Sequence, residues 1–372
     1  MTTLQRSLDT SFVQLPLNTL SLEEAWELLT ELAGAERISK DDVWAQHVVS
    51  ILCEWLGYLP LGLELVGRYL AESPHMSLGE MLKRLQAHRQ EDEPINPSNP
   101  EIPKTLSTAR RGVKAAFELI WQKLDLRTQQ VAEFLSLFAP DVIPWKLVES
   151  ASRRLSWGKS DLNRAKTQLH KWQLIQSVGS KKDCYKIHPL LREFLQTKLA
   201  ASERANHFKR TFIESIVFIA QQIPDSPSPT EIEIIKDAIP HLKEITQTLT
   251  AVVKDEELLW LCDRLGSFYK VQGLYDLAKP WFVRCLSVAK VCFGNDHPDV
   301  ATTLNNLAGV YYAQGRYQEA EPLYLQALKL RKYLLGIHSP EVATTLNNLA
   351  LLYYYQKRYS EAEPLYLEAL EL

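Results

Sequence analysis

Apolar positions recur at helical spacing through most of the chain. In SLEEAWELLTEL, Leu22, Ala25, Trp26, Leu29 and Leu32 fall at i, i+3, i+4 spacing behind Ser21, a good N-cap. DDVWAQHVVSILCEWLG repeats the pattern with Val48, Ile51, Leu52, Trp55 and Leu56, and closes on Gly57. A third helix is expected from Pro60, since proline is well placed in a first turn, where its missing N–H costs nothing. A fourth follows a Ser77–Glu80 capping box. The run EPINPSNPEIP (93–103) breaks the periodicity and reads as a linker or long loop. Beyond it, residues 113–150 alternate helix, turn, helix, loop and helix, and 162–172 gives another helix. The period then shortens: LIQSVGSKKDCYKIH reads as two short strands about a GSKKD hairpin, with a new helix opening at Pro189. Helices followed by such a hairpin predict a winged helix.

The C-terminal end repeats itself. Residues 298–330 and 340–372 share 25 of 33 positions at an offset of 42, and a fainter copy begins near residue 257. Such a period predicts stacked helix pairs. Leu304, Leu307, Ala308 and Tyr311 share one helical face, and Ala320, Tyr324, Ala327 and Leu328 share the next. Small residues let the pair approach closely, while leucines and tyrosines fill the space between units. Pro322 and Pro364 lie about one turn into the second helices. The pattern resembles the tetratricopeptide repeat in the 42-residue form familiar from kinesin light chains. The resemblance implies a right-handed α-solenoid over residues 255–372, of about three repeats. It also implies a concave groove that receives a peptide or protein partner. On the first helix of each unit the groove positions are Thr302, Asn305, Asn306 and Tyr312, and again Thr344, Asn347, Asn348 and Tyr354. An asparagine carries both donor and acceptor and so can pair with a peptide backbone. The apolar side of the last helix, with Tyr366, Leu367 and Leu370, is an expected surface for self-association.

The order of elements in the front half is similar to the helical and winged-helix parts of NB-ARC-type STAND ATPases. LPLNTLSLEEAWELL matches the entry to that helical subdomain. LGYLPLGLELVGRYL matches the GLPL-type motif, with Tyr58 where a glycine is expected, and YKIHPLLREFL matches the MHD-type motif. On this resemblance residues 1–95 form the helical subdomain, 96–200 the winged-helix domain and 201–254 a helical linker. The resemblance also implies a nucleotide contact at Pro60 and His188, where the histidine would reach the β-phosphate of ADP; a histidine that caps a strand end is the alternative. Phosphate binding in this class needs G-x-x-x-x-G-K-[ST], and no such string occurs. GLELVG has two glycines but is followed by Arg68-Tyr69. The chain thus carries the sensing half without the gripping half. It is expected to use no cofactor, holding ADP or ATP only if a P-loop domain is supplied upstream or in trans.

Charge adds one alternative. Residues 1–95 hold 15 acidic and 7 basic side chains, and residues 151–199 hold 11 basic and 3 acidic. Arg153, Arg154, Lys159, Arg164, Lys166 and Lys171 flank or lie on the helix that a winged helix presents to a major groove, so a DNA-binding regulator is the second reading. The favoured reading is an interaction or signalling-sensor protein in which the repeats recognise a partner and a remnant switch module couples that event onward. No Ser/His/Asp order, metal spacing or carboxylate pair points to an enzyme. The five cysteines form no CxxC pair and read as small buried hydrophobes of a reducing cytoplasm. No apolar run reaches the ~18 residues of a membrane helix.

Overall fold

A computed structural model describes residues 19–35, 38, 42–90, 104–179, 183–222, 224 and 228–372. The GSKKD turn tip and the whole of the 93–103 linker lie outside these residues. The described chain is mainly helical and divides into two compact units, each assembled from separate segments: Met1–Glu133 with Lys159–Ser177 and Ile187–Thr197, and Phe134–Gly158 with Val178–Lys186 and Lys198–Leu372.

The first unit is built on α1 (Leu22–Ala33), α2 (Val43–Trp55), α3 (Pro60–Ala71), α4 (Leu78–Gln90) and α5 (Lys104–Trp121). Ser21 caps α1 in a full capping box with Glu24, and Asp42 caps α2. Of the expected α1 stripe, Ala25, Trp26 and Leu29 are buried, while Leu22 sits in the exposed first turn. The centre is α3, which packs on α1 and α5. Its two glycines explain how. A methyl group on Gly62 would meet Leu56 and Val113 at 3.1 Å, and one on Gly67 would meet Leu32 at 2.8 Å. The glycines of GLELVG therefore serve helix packing inside α3, where no phosphate loop exists. Further along, α6 spans Leu126–Leu135 and, past α7 (Trp145–Ser152) of the second unit, α8 spans Lys159–Lys171 and α9 Pro189–Ala200 of the first. In this unit Phe117 of α5 stacks on Phe194 of α9 at 5.6 Å, and Trp172 meets Tyr69 of α3 at 6.2 Å.

The second unit opens with an aromatic core: Phe134, Phe138, Trp157, Phe208 and Phe212 meet edge to face, an arrangement that favours aromatic pairs. Short strands occur where the sequence predicts them, β2 (Gln176–Ser177) in the first unit and β3 (Cys184–Lys186) in the second, and within the second unit Val178 N donates to Cys184 O at 3.0 Å. A strand the sequence reading left in a loop, β1 (Ile143–Pro144), pairs antiparallel with β3. The fully buried His241 of α12 (Ile239–Thr248), the helix after α11 (Pro229–Ile235), fastens this region. Its Nδ1 accepts from Ala139 N at 3.1 Å while Nε2 meets Val142 O at 3.0 Å. α10 (Ala205–Gln221) reaches the repeats through Arg210, whose guanidinium pairs with Glu257 and Glu214.

Three helix pairs complete the unit: α13 (Asp255–Val271) with α14 (Tyr275–Phe293), α15 (Pro298–Ala313) with α16 (Tyr317–Leu335), and α17 (Pro340–Tyr355) with α18 (Tyr359–Leu370). Ala308, Ala320, Tyr324, Leu346 and Leu349 lie in the core between the last two pairs; Cys262, Cys285, Ala301, Leu304 and Ala327 lie between the first two. Burial pushes the Cys262 and Cys285 thiols up to about 12, so neither supplies a thiolate near neutral pH.

Candidate functional site

The first helices of the last two pairs, α15 and α17, start alike. Pro298 and Pro340 occupy first turns, and the residue before each caps the helix: His297 Nδ1 accepts from Asp299 N at 3.2 Å, and Ser339 Oγ accepts from Glu341 N at 3.2 Å. These caps fix the rotation of each helix, and so which side chains meet the neighbouring repeat.

A side-chain ladder results. Asn306 Nδ2 donates to Asp263 Oδ1 at 3.3 Å, and one repeat on, Asn348 Nδ2 donates to Asn305 Oδ1 at 3.1 Å. Arg331, 5% exposed near the end of α16, donates to Glu341 O at 2.8 Å and Thr345 Oγ1 at 2.7 Å, and more weakly to Thr302 Oγ1 at 3.4 Å. Burial holds its guanidinium below the ordinary arginine range. Stacked helix pairs of 42 residues, joined at the same places in each step, make a helical solenoid. Residues 256–333 and 303–372 match the tetratricopeptide repeat family. The C-terminal region is a tetratricopeptide repeat array.

The eight groove positions expected in this array take different places. Asn305, Asn306 and Asn348 are drawn into the ladder, with Asn305 only 8% exposed. Thr302 is exposed but accepts from Arg331, and Thr344 Oγ1 turns back to Pro340 O at 2.9 Å. Asn347 and Tyr354 face outward. Tyr312 is half-buried with its ring 5.8 Å from those of Tyr317 and Tyr355; burial, then these neighbouring phenols, push its pKa up to about 12. Tyr354 extends this row to Tyr355 and Tyr359.

The sequence reading missed the corresponding residues of the first repeat. Counting back 42 from Thr302, Asn305 and Asn306 gives Trp260, Asp263 and Arg264. The frame was available through Leu265, Gly266 and Tyr269, but the residue types change from small and polar to aromatic and charged. With Thr302, Thr303 and Asp299 they line a cleft of about 380 Å³.

Among solved structures, BtubC (BKLC) from P. vanneervenii is similar at 20% identity and a TM-score of 0.36, over 47% of this chain and 72% of that one. A signal transduction ATPase with numerous domains and a tetratricopeptide repeat sensor, from Pyrococcus horikoshii, is similar at 15% identity and a TM-score of 0.33, over 94% of this chain. The chain spans 59% of that ATPase's length. No curated protein matches the sequence.

The remaining expected positions lie outside the array. Pro60 opens α3 behind Tyr58, which adopts the left-handed φ of 55° natural to the glycine expected there. His188 stands directly before α9, and its Nδ1 accepts from Leu190 N at 3.2 Å. Burial holds its imidazole below the ordinary histidine value, which suits a neutral ring that accepts at Nδ1. This is the same His-Pro cap that His297 forms in the array. Of the basic residues, Arg153 and Arg154 belong to the second unit; Lys159, Arg164, Lys166 and Lys171 belong to the first. Lys171 pairs with Glu72 and Arg154 with Glu214, so part of the positive charge is matched within each unit. No described helix is long and apolar enough to cross a membrane.

Proposed function

We propose that the chain is an interaction protein whose repeats hold an extended segment of a partner along α13, α15 and α17. One observation carries this reading: the ladder fixes the Asp263 carboxylate on α13 and amides on α15 and α17 in one row, while Asn347 keeps a full donor–acceptor pair in solvent. A rigid row of this kind offers alternating partners to a peptide backbone without ordering cost at the moment of binding. The exposed Tyr354 beside it supplies apolar contact area. In the same proposal the front half is a remnant of a STAND switch module that couples partner binding onward. What supports that part is the order of the GLPL-type and MHD-type motifs around Pro60 and His188.

The test replaces Asn347 and Tyr354, both exposed, with alanine. Captured partners should be lost while melting stays within about 0.5 kcal/mol of the parent. Full capture by the double variant would refute the groove.

A further inference from the structure

The cleft between α13 and α15 has a chemistry of its own. Trp260 is 43% exposed and forms one wall. Arg264 lies over its ring, 5.1 Å from the centroid, and pairs with Asp263 at 3.2 Å, so these two charges cancel inside the array. Two lining carboxylates remain, Glu256 and Asp299, and no lysine or arginine among the described residues pairs with either. His297 lies 3.6 Å from Asp299 Oδ2, and its Nδ1 is taken up as the acceptor of the Asp299 N–H in the helix cap. Arg331 reaches Thr302 from behind, buried and within the field of Glu341. The accessible lining therefore carries a net charge of about −2 against an aromatic wall. The cavity lies at the small end of ligand pockets, the size of one side chain rather than a whole cofactor.

We infer that this cleft is a specificity pocket for an arginine side chain of the partner. The inference rests on the groove reading above and deepens it. A guanidinium suits the site better than an ammonium because it is planar and weakly hydrated, stacks on indole, and reaches two carboxylates with a forked set of donors. Thr302 belongs both to the cleft and to the row of groove positions, so a segment lying along the row passes the pocket mouth. A carboxylate side chain would meet Glu256 and Asp299 instead and be repelled.

The probe is N-acetyl-arginine amide, titrated into the full chain while the indole N–H resonance of Trp260 is followed. Trp260→Phe assigns that resonance. The resonance should shift and saturate at millimolar probe, and N-acetyl-glutamate amide should leave it in place. Combining Glu256→Gln with Asp299→Asn should weaken arginine binding about tenfold at unchanged melting temperature. Glu256→Gln lies in an exposed first turn and gives the same direction alone if Asp299→Asn disturbs the cap. An equal response to the glutamate probe, or an arginine titration indifferent to both substitutions, overturns the pocket. The groove is tested two repeats away, at Asn347. Loss of capture there with a silent arginine probe would refute the pocket alone.

Discussion

Lys357 stands where the earlier repeats carry glycine, and it offers a clean measurement of backbone strain. The turn between paired helices occurs three times, with φ of 73° at Gly273, 73° at Gly315 and 63° at Lys357. The bonds around it are also alike. Gly315 N donates to Tyr312 O and Lys357 N to Tyr354 O, both at 2.9 Å; Arg316 N reaches Tyr311 O and Arg358 N reaches Tyr353 O, again at 2.9 Å. The turn is therefore kept despite the side chain. A methyl group added at Gly273 or Gly315 would meet nothing within 4 Å, so crowding does not enter. What remains is the torsional cost of an L-residue in the left-handed region, about 1–2 kcal/mol. Lys357 is exposed and makes no side-chain hydrogen bond or ion pair that glycine would forfeit. Glycine loses about 0.4–1 kcal/mol through the freedom it restores to the unfolded chain. Lys357→Gly should then stabilise the last repeat by about 0.5–1 kcal/mol. Gly315→Ala should destabilise the central one by a similar or larger amount. Urea unfolding followed by amide exchange over residues 340–370 reads both. A neutral or destabilising Lys357→Gly beside a harmless Gly315→Ala would refute the reasoning.

His241→Ala leaves Ala139 N–H without its acceptor in a fully buried site and opens a void beside Phe138; it should cost about 2–4 kcal/mol in chemical denaturation. A loss below about 0.5 kcal/mol would show that the imidazole does not fasten this loop. Burial opposes ionisation of Glu257, but the hydrogen bonds from Arg210 and Lys254 N, with their charges, hold its carboxyl below the usual glutamate range. A lowered folded value means stability that is present above the unfolded pKa and lost as pH falls through the folded one. The acid limb of unfolding, from about pH 5 downward, should flatten in Glu257→Gln, and an unchanged limb would remove this pair from the account.

Much of the solenoid is written locally. Ala308, Ala320 and Ala327 are small because helices touch there, and Pro298 and Pro340 mark helix starts that need no partner to be read. β1 escaped notice because two residues, one a proline, carry no alternation; only Asp183, Cys184 and Tyr185 beside them make a strand. Periodicity also makes Asn305 and Asn347 equivalent, yet the first is buried by Asn348 while the second is exposed. Neighbours in space, which the period does not encode, decide such differences. The segmented make-up of the two units rests likewise on pairs such as Phe117 and Phe194, brought together across many residues. His188 was singled out by motif, and its bond to Leu190 N shows a cap that any His-Pro step before a helix can form.

The ladder makes neighbouring repeats interchangeable. Asn306 gives a hydrogen bond to Asp263 just as Asn348 gives one to Asn305, so donor and acceptor stand in fixed phase from one repeat to the next. Loss of the 42 residues 299–340 would bring Asn348 to the place of Asn306, facing Asp263 with the same donor. Duplication would likewise insert a further Asn–Asn rung. The last two repeats share 25 of 33 residues, so either can stand in the other's place with most of its packing side chains unchanged. The array can therefore be lengthened or shortened in whole-repeat steps, with each new junction already bonded.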